Sequence, residues 1–270
     1  MSDAAPAPTP AEKPTIRLLH HLARTGGTVI AKCLGSMAGT ALLSEIHPAG
    51  GAWFNPFQQA DRWHGLLTKE DLAALRTGRP MPFAAAIMLI ERRARERGLA
   101  LVIRDWTHLD YTAVPFLPQP SFRLTLALAL APQFNVLHAA TVRHPIDQWL
   151  SLERLGLIRG RLSLADYLLG YRRFAEVANR IGYLRYEDFA ADPAKAMALL
   201  CRRLQLPYDP GFQQRWMHYD KITGDTPPGP RPQEIRPPRR KPCPPALIDA
   251  FGANADYRRA IELLGYGHPQ

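Results

Sequence analysis

Four sets of residues in this 270-residue chain are of types that do chemistry. The first is Arg24-Thr25-Gly26-Gly27-Thr28, which follows the apolar run Leu18 to Leu22 and continues into Val29-Ile30-Ala31-Lys32-Cys33-Leu34. Apolar run, short glycine turn and helix is the order of an anion-binding loop. Two glycines let the backbone approach an anion, and the first N–H groups of the helix have no intrahelical partner and point at it. Arg24 and the hydroxyls of Thr25 and Thr28 would complete the cradle. A glycine pair between apolar segments is also an ordinary turn, so the loop gains meaning only from the sets that follow. Glu45 stands near the end of a second apolar run, Arg104 and His108 follow a third, and Arg143 follows a fourth, with Ser151 eight positions on. At that spacing an arginine at a strand end and a serine two turns into the next helix can grip one phosphate, the arginine by its fork and the serine by its hydroxyl.

The elements that must position these residues alternate. Residues 16–22, 41–46, 99–103, 135–142 and 181–185 read as strands. Apolar residues at helical spacing predict helices over 28–37, 83–97, 146–155 and 163–179. Thr68 with Glu70 and Asp71 resembles a helix start, and Asp192-Pro193 is a cap-plus-first-turn signature for a helix to 204. A last helix is expected over 246–264, interrupted at Gly252. Strands alternating with helices make the fold class α/β, a parallel sheet flanked by helices on both faces. In such a sheet the ligand site lies at the carboxyl ends of the strands, which brings Arg24, Glu45, Arg104 with His108, and Arg143 to one edge.

Composition sets the limits. With 46% hydrophobic residues the chain can bury one substantial core, here a single domain over 15–270 behind an Ala/Pro-rich disordered tail, 1–14. Thirty-four Lys and Arg against 24 Asp and Glu give +10, which favours anionic ligands. Three widely spaced cysteines suggest neither a disulfide framework nor a zinc site, no run approaches a membrane span, and a cytoplasmic protein is expected. The segment 50–98 reads as an insertion on the acceptor side; its Trp53, Phe54, Phe57 and Trp63 form either a pocket lining or a hydrophobic cluster under a long loop. Residues 226–245 hold nine prolines and the cations Arg231, Arg236, Arg239, Arg240 and Lys241 against Glu234 alone. That segment is either a solvated linker or a basic strap across an anionic ligand. His20 and His21 read as strand packing or polar sheet positions. The Glu187-Asp188 pair reads as helix capping or arginine pairing.

The motifs resemble those of the sulfotransferases that use 3′-phosphoadenylyl sulfate (PAPS). Arg24 to Thr28 is similar to their 5′-phosphosulfate loop, Val142-Arg143-His144-Pro145 through Ser151 to their 3′-phosphate motif, and Leu184-Arg185-Tyr186-Glu187-Asp188-Phe189 to a later family segment. The resemblance spans about residues 16–200. It implies a P-loop-like three-layer fold, PAPS as cosubstrate with PAP as product, no metal, and a hydroxyl- or amine-bearing acceptor, with no nucleic acid as partner. The implied nucleotide contacts are Arg24, Thr25, Gly26, Gly27, Thr28, Val29, Arg143, Ser151 and Tyr186, with Arg239 and Arg240 if the strap closes on the 3′-phosphate. Arg24 stands where many cytosolic members carry lysine and resembles the arginine of the tyrosylprotein type, whose base is a glutamate at about the distance of Glu45. Glu45 is therefore the expected base, His108 its rival in a segment similar to the histidine motif, Arg104 a holder of sulfuryl oxygens, and Arg24, with the loop N–H groups and Thr28, the expected stabiliser of the departing 5′-phosphate.

Two other readings stand beside this one. A kinase or NTPase on a related sheet is opposed by the missing Gly-Lys-Ser/Thr ending of its phosphate loop, although Leu101 to Asp105 could imitate a magnesium-binding strand end. A noncatalytic binder of polyanions would need the basic strap and not Glu45.

Overall fold

The computed structural model describes residues 12–78, 81–156, 158–224, 234–237 and 242–269. Five strands form one sheet: β1 (Thr15–His21), β2 (Thr40–Ile46), β3 (Ala100–Asp105), β4 (Asn135–Val142) and β5 (Tyr183–Arg185). Their order is β2-β3-β1-β4-β5 and every pairing is parallel. Parallel neighbours require crossover connections, and here helices supply them.

Alternation along the strands sends neighbouring residues to opposite faces. Leu19 and Val102 enter a core with Ile30, Leu34, Met197 and Leu200, from the helices Gly27–Gly35 and Pro193–Arg203. Leu18, Leu101 and Ile103 enter a second core with Ile87 and Ile90 of the helix Phe83–Glu96 and Leu126 of the helix Thr125–Leu130. Both faces are covered, which makes the expected three-layer α/β arrangement. A third cluster joins the helices Pro145–Leu152, Leu164–Ile181 and Ala255–Leu264 around Trp149, Tyr171 and Phe174.

Local signals explain most boundaries. The Thr68 side chain and Asp71 form a capping box on the helix Lys69–Thr77, and Asp192 caps the helix that Pro193 opens. The segment after Gly50 departs from its loop-like reading: Asn55 caps and Pro56 opens a helix, Pro56–His64. The last helix also differs. It breaks at Asn254 rather than Gly252, giving Pro245–Ala253 and Ala255–Leu264, because the Asn254 side chain accepts the Tyr257 N–H and starts a new helix.

His20 lies in a polar seam through the sheet, with Nδ1 2.7 Å from Asp105 Oδ2 and Nε2 3.0 Å from His138 Nδ1. At the start of the chain, the Pro14 carbonyl accepts the Asn135 N–H. Most of the expected strap, Arg231, Arg239, Arg240 and Lys241 included, lies outside the described residues; of its cations Arg236 is described, paired with Glu234 at 2.6 Å.

Candidate active site

The loop after β1 begins with Arg24 in the left-handed region at φ 68° and reaches Gly26 at φ 82°. Gly26 is required twice over, by that angle and because a Cβ there would lie 2.0 Å from Tyr186 Cδ2. The first bond of the helix runs from Ile30 N–H to Gly26 O, so the N–H groups of Gly27, Thr28 and Val29 precede the helical ladder. Val29 otherwise packs its side chain on the core. Thr25 differs from its expected role: it is fully buried and its hydroxyl donates to Leu22 O at 2.8 Å, closing the turn instead of facing an anion.

Arg143 leaves the end of β4, and Ser151 sits two turns along the next helix, as their spacing requires. The structure brings this pair against the loop. Arg24 Nε donates to Ser151 Oγ at 2.9 Å, so the serine keeps its own hydrogen to donate. The Arg143 guanidinium lies 5.4 Å from the centre of the Tyr186 ring, and its Nη1 reaches Arg24 O at 3.4 Å. Arg143 Nε is buried with no partner among the described residues. Burial, and then the charge of Arg143, pull the Arg24 guanidinium below its ordinary value. Two neighbouring arginines and a serine hydroxyl therefore meet at a helix N-terminus, an arrangement with the donor set and charge for a phosphate.

Supports behind this pair come from distant elements. Tyr171 OH donates to Arg143 O at 2.6 Å, and Gln148 Nε2 donates to Ala23 O at 2.7 Å. Glu187 accepts the His144 N–H at 2.9 Å and the Tyr266 hydroxyl at 2.8 Å, while Asp188 lies 3.3 Å from Arg185. Both acids stand on the short helix Tyr186–Ala191, not on a strand, and their roles are capping and arginine pairing.

On the other side of β1, Glu45 occupies a bulge where β2 slips register between Ser44 and Ile46, with φ 55°. A non-glycine residue held there costs about 1–3 kcal/mol, so its surroundings must enforce it. Gln59 does so: its amide accepts the Ser44 N–H at 2.7 Å and donates to Ser44 O at 2.9 Å. Glu45 Oε1 is 3.5 Å from Arg104 Nη2.

Arg104 differs from its expected role as a holder of sulfuryl oxygens, because its donors are turned inward. Nε bonds His21 Nε2 at 2.6 Å, Nη1 bonds Ser44 Oγ and Thr223 O at 3.0 Å each, and Nη2 bonds Thr28 Oγ1 at 3.0 Å. The side chain is buried and ties the loop, the bulge and the 223 segment together. His108 lies in the helix Thr107–Thr112, buried, and burial pushes its imidazole down to about 4. Its Nε2 is 3.1 Å from Thr112 Oγ1, whose hydrogen goes to His108 O at 2.8 Å. The ring then donates through Nε2, and the Nδ1 lone pair is without a partner among the described residues.

Trp106, the residue after β3, receives Phe54 edge-on at 4.8 Å and Phe116 at 5.4 Å, while Trp53 stacks parallel to Phe116 at 5.6 Å and is 59% exposed. The Trp106 N–H is bonded to Ile46 O, next to Glu45, so this aromatic group belongs to the same edge. Sequence reasoning missed Ser44, Gln59 and Thr223, and read His21 as strand packing or a polar sheet position, not as a partner of Arg104. The one available signal was position: His21 and Ser44 adjoin residues already singled out.

No protein-family profile and no curated protein matches the sequence. Solved structures do match. The sulfotransferase domain of the Synechococcus PCC 7002 olefin synthase superposes with a TM-score of 0.68 at 18% identity, over 97% of this chain and 98% of that one. The sulfotransferase domain of the curacin biosynthetic pathway gives 0.62 at 17% identity, over 96% and 100%. The chain has the sulfotransferase fold over nearly its whole length.

Proposed function

We propose that this protein is a sulfotransferase that moves the sulfuryl group of PAPS to a hydroxyl or amine of an acceptor by in-line displacement. The observation that carries the reading is the meeting of the loop with the Arg143–Ser151 pair through the Arg24–Ser151 bond, beside a buried Arg143 Nε with no partner among the described residues. The shared fold supports it. The donors suit both ends of the nucleotide: Gly27, Thr28 and Val29 N–H groups with the Thr28 hydroxyl for the 5′-phosphate, Arg143 and Ser151 for the 3′-phosphate, and Arg24, expected on the 5′-phosphate and bonded through Nε to Ser151, between the two.

In this reading the chain aligns the reactants and supplies charge and a base. Glu45 takes the acceptor proton; its strained backbone on a clamped bulge favours it over His108, which is buried and stands second. The loop N–H groups and Thr28 meet the charge that grows on the departing phosphate, and Arg104 orients Thr28 and Glu45 rather than touching the sulfuryl group. The insertion 50–98 forms the acceptor side, with Trp53, Trp106 and Phe116 at its rim. The protein would work in the cytoplasm.

A kinase or NTPase would need the strand-end acid Asp105 for magnesium. That carboxylate is fully buried, and its Oδ2 is bonded to His20 and Thr107. A thermal-shift comparison tests the choice. PAP at a hundredfold excess over its Kd adds about 2.7 kcal/mol of stability and raises the melting temperature well above the effect of ATP with magnesium. The reverse order rejects the proposal.

A further inference from the structure

His21 sits at the carboxyl end of β1, three residues before Arg24, and is buried. Its two ring nitrogens have partners of fixed chemistry. Nδ1 is 3.1 Å from Leu22 O, and a carbonyl only accepts, so Nδ1 carries the hydrogen. Nε2 is 2.6 Å from Arg104 Nε, and a guanidinium only donates, so Nε2 presents its lone pair. One neutral tautomer satisfies both contacts. Burial, with Arg104 next in effect, holds the ring well below its usual range, which agrees with that assignment.

The ring also touches the loop. A Cβ at Gly27 would fall 2.6 Å from His21 Cγ, so the glycine lets the first turn of the helix rest on the imidazole. His21 thus sits beneath the turn that carries Thr28 and at the same time fixes the arginine that bonds Thr28. Arg104 Nη2 points at Thr28 Oγ1, which directs the hydrogen of that hydroxyl outward, and stands 3.5 Å from Glu45 Oε1.

We propose that His21 is a positioning residue: as the Nδ1–H tautomer it accepts from Arg104 Nε and so sets Arg104, Thr28 and Glu45 for nucleotide binding and transfer. The inference rests on the sulfotransferase reading for its functional part, while its geometric part stands on the contacts of His21 alone. A packing role and an accepting role make opposite demands on substitution. Leucine keeps an apolar filler under Gly27 and removes the acceptor; glutamine places Oε1 about where Nε2 stands and restores it.

Calorimetric titration of PAP into full-length His21→Leu and His21→Gln reads the difference. Loss of an acceptor facing a charged donor lowers PAP affinity about tenfold or more in the leucine variant, and the glutamine variant returns to within about threefold of the unsubstituted protein. Leucine matching or exceeding glutamine overturns the proposal. Long-range proton–nitrogen spectra of the unsubstituted protein, with the His21 signal assigned by its absence from the glutamine variant, give the tautomer directly. An Nδ1–H ring with a bare Nε2 is expected; an Nε2–H or doubly protonated ring overturns the assignment even where the leucine variant fails to fold. If the unsubstituted protein binds no PAP while showing the expected tautomer, the sulfotransferase reading fails and takes the functional part with it, and the geometry of His21 and Arg104 stands.

Discussion

Arg24 and Arg143 lie beside each other with a serine hydroxyl between their motifs and no carboxylate partner among the described residues, whereas Arg104, across β1, is buried among acceptors from four segments. The first pair carries charge that an incoming anion would neutralise. The second arginine is already satisfied by its own chain. On the proposed nucleotide side the protein holds donors in waiting; on the proposed acceptor side it uses them to hold a strained carboxylate and a hydroxyl in place. Substitution of Arg143 should therefore fail in binding and substitution of Glu45 in turnover, while a change behind Arg104, which bonds Thr28 of the loop, reaches binding as well.

The largest expected effect is on the acceptor side. Glu45→Gln lowers sulfuryl transfer by about 10²–10⁴-fold and leaves PAP affinity unchanged. If transfer survives that change and His108→Ala abolishes it, the base is His108 and the contrast between the two sides moves by one strand. Next comes Arg143→Ala, which removes charge-assisted bonds and weakens PAP by about a hundredfold, with little change in the affinity of AMP. Gly26→Ala forces a Cβ onto the Tyr186 ring at a left-handed φ, and costs about 1–3 kcal/mol of stability together with nucleotide affinity. The smallest effect is Trp53→Ala: that residue is 59% exposed, so stability stays within about 0.5 kcal/mol, PAP binding is unchanged, and only the acceptor KM rises.

Burial holds His108 at about 4 in the folded protein, against an ordinary 6.5, so the unfolded chain binds more protons between those values. Stability is then complete above about pH 6.5 and is lost as pH falls toward 4, by at most about 1.4 kcal/mol per unit from this residue. His108→Gln should flatten that part of a denaturation-versus-pH curve; an unaltered slope would mean that His108 is not held neutral.

That the loop and the Arg143–Ser151 motif meet was legible in the sequence because each is a contiguous motif at a strand–helix junction. Arg24 to Thr28 and Arg143 to Ser151 each carry their geometry in their own spacing, and the parallel sheet follows from the alternation of strands and helices. What the spacing did not reveal is that Thr25 turns inward and that Arg24 reaches Ser151 rather than standing alone. The acceptor side is assembled from single residues far apart in the chain, Ser44, Gln59, Arg104 and Thr223, with His21 behind them. No local pattern marks such a set, and Arg104 looked free because its partners are brought to it only by folding. The helix Pro56–His64 was missed for another reason: its Asn55-Pro56 start repeats the logic of Asp192-Pro193, but the aromatic and glycine residues around it read as loop.

Two motifs more than a hundred residues apart would form one clamp, with Arg143 and Ser151 on a 3′-phosphate. It is tested most directly by the ratio of PAP to AMP affinity, two ligands that differ only in that phosphate, measured by calorimetry in the unsubstituted protein and in Arg143→Ala. PAP should bind tighter by about a hundredfold, with the ratio collapsing toward one in the variant. Equal affinities in the unsubstituted protein, or a ratio that survives the loss of Arg143, would contradict it.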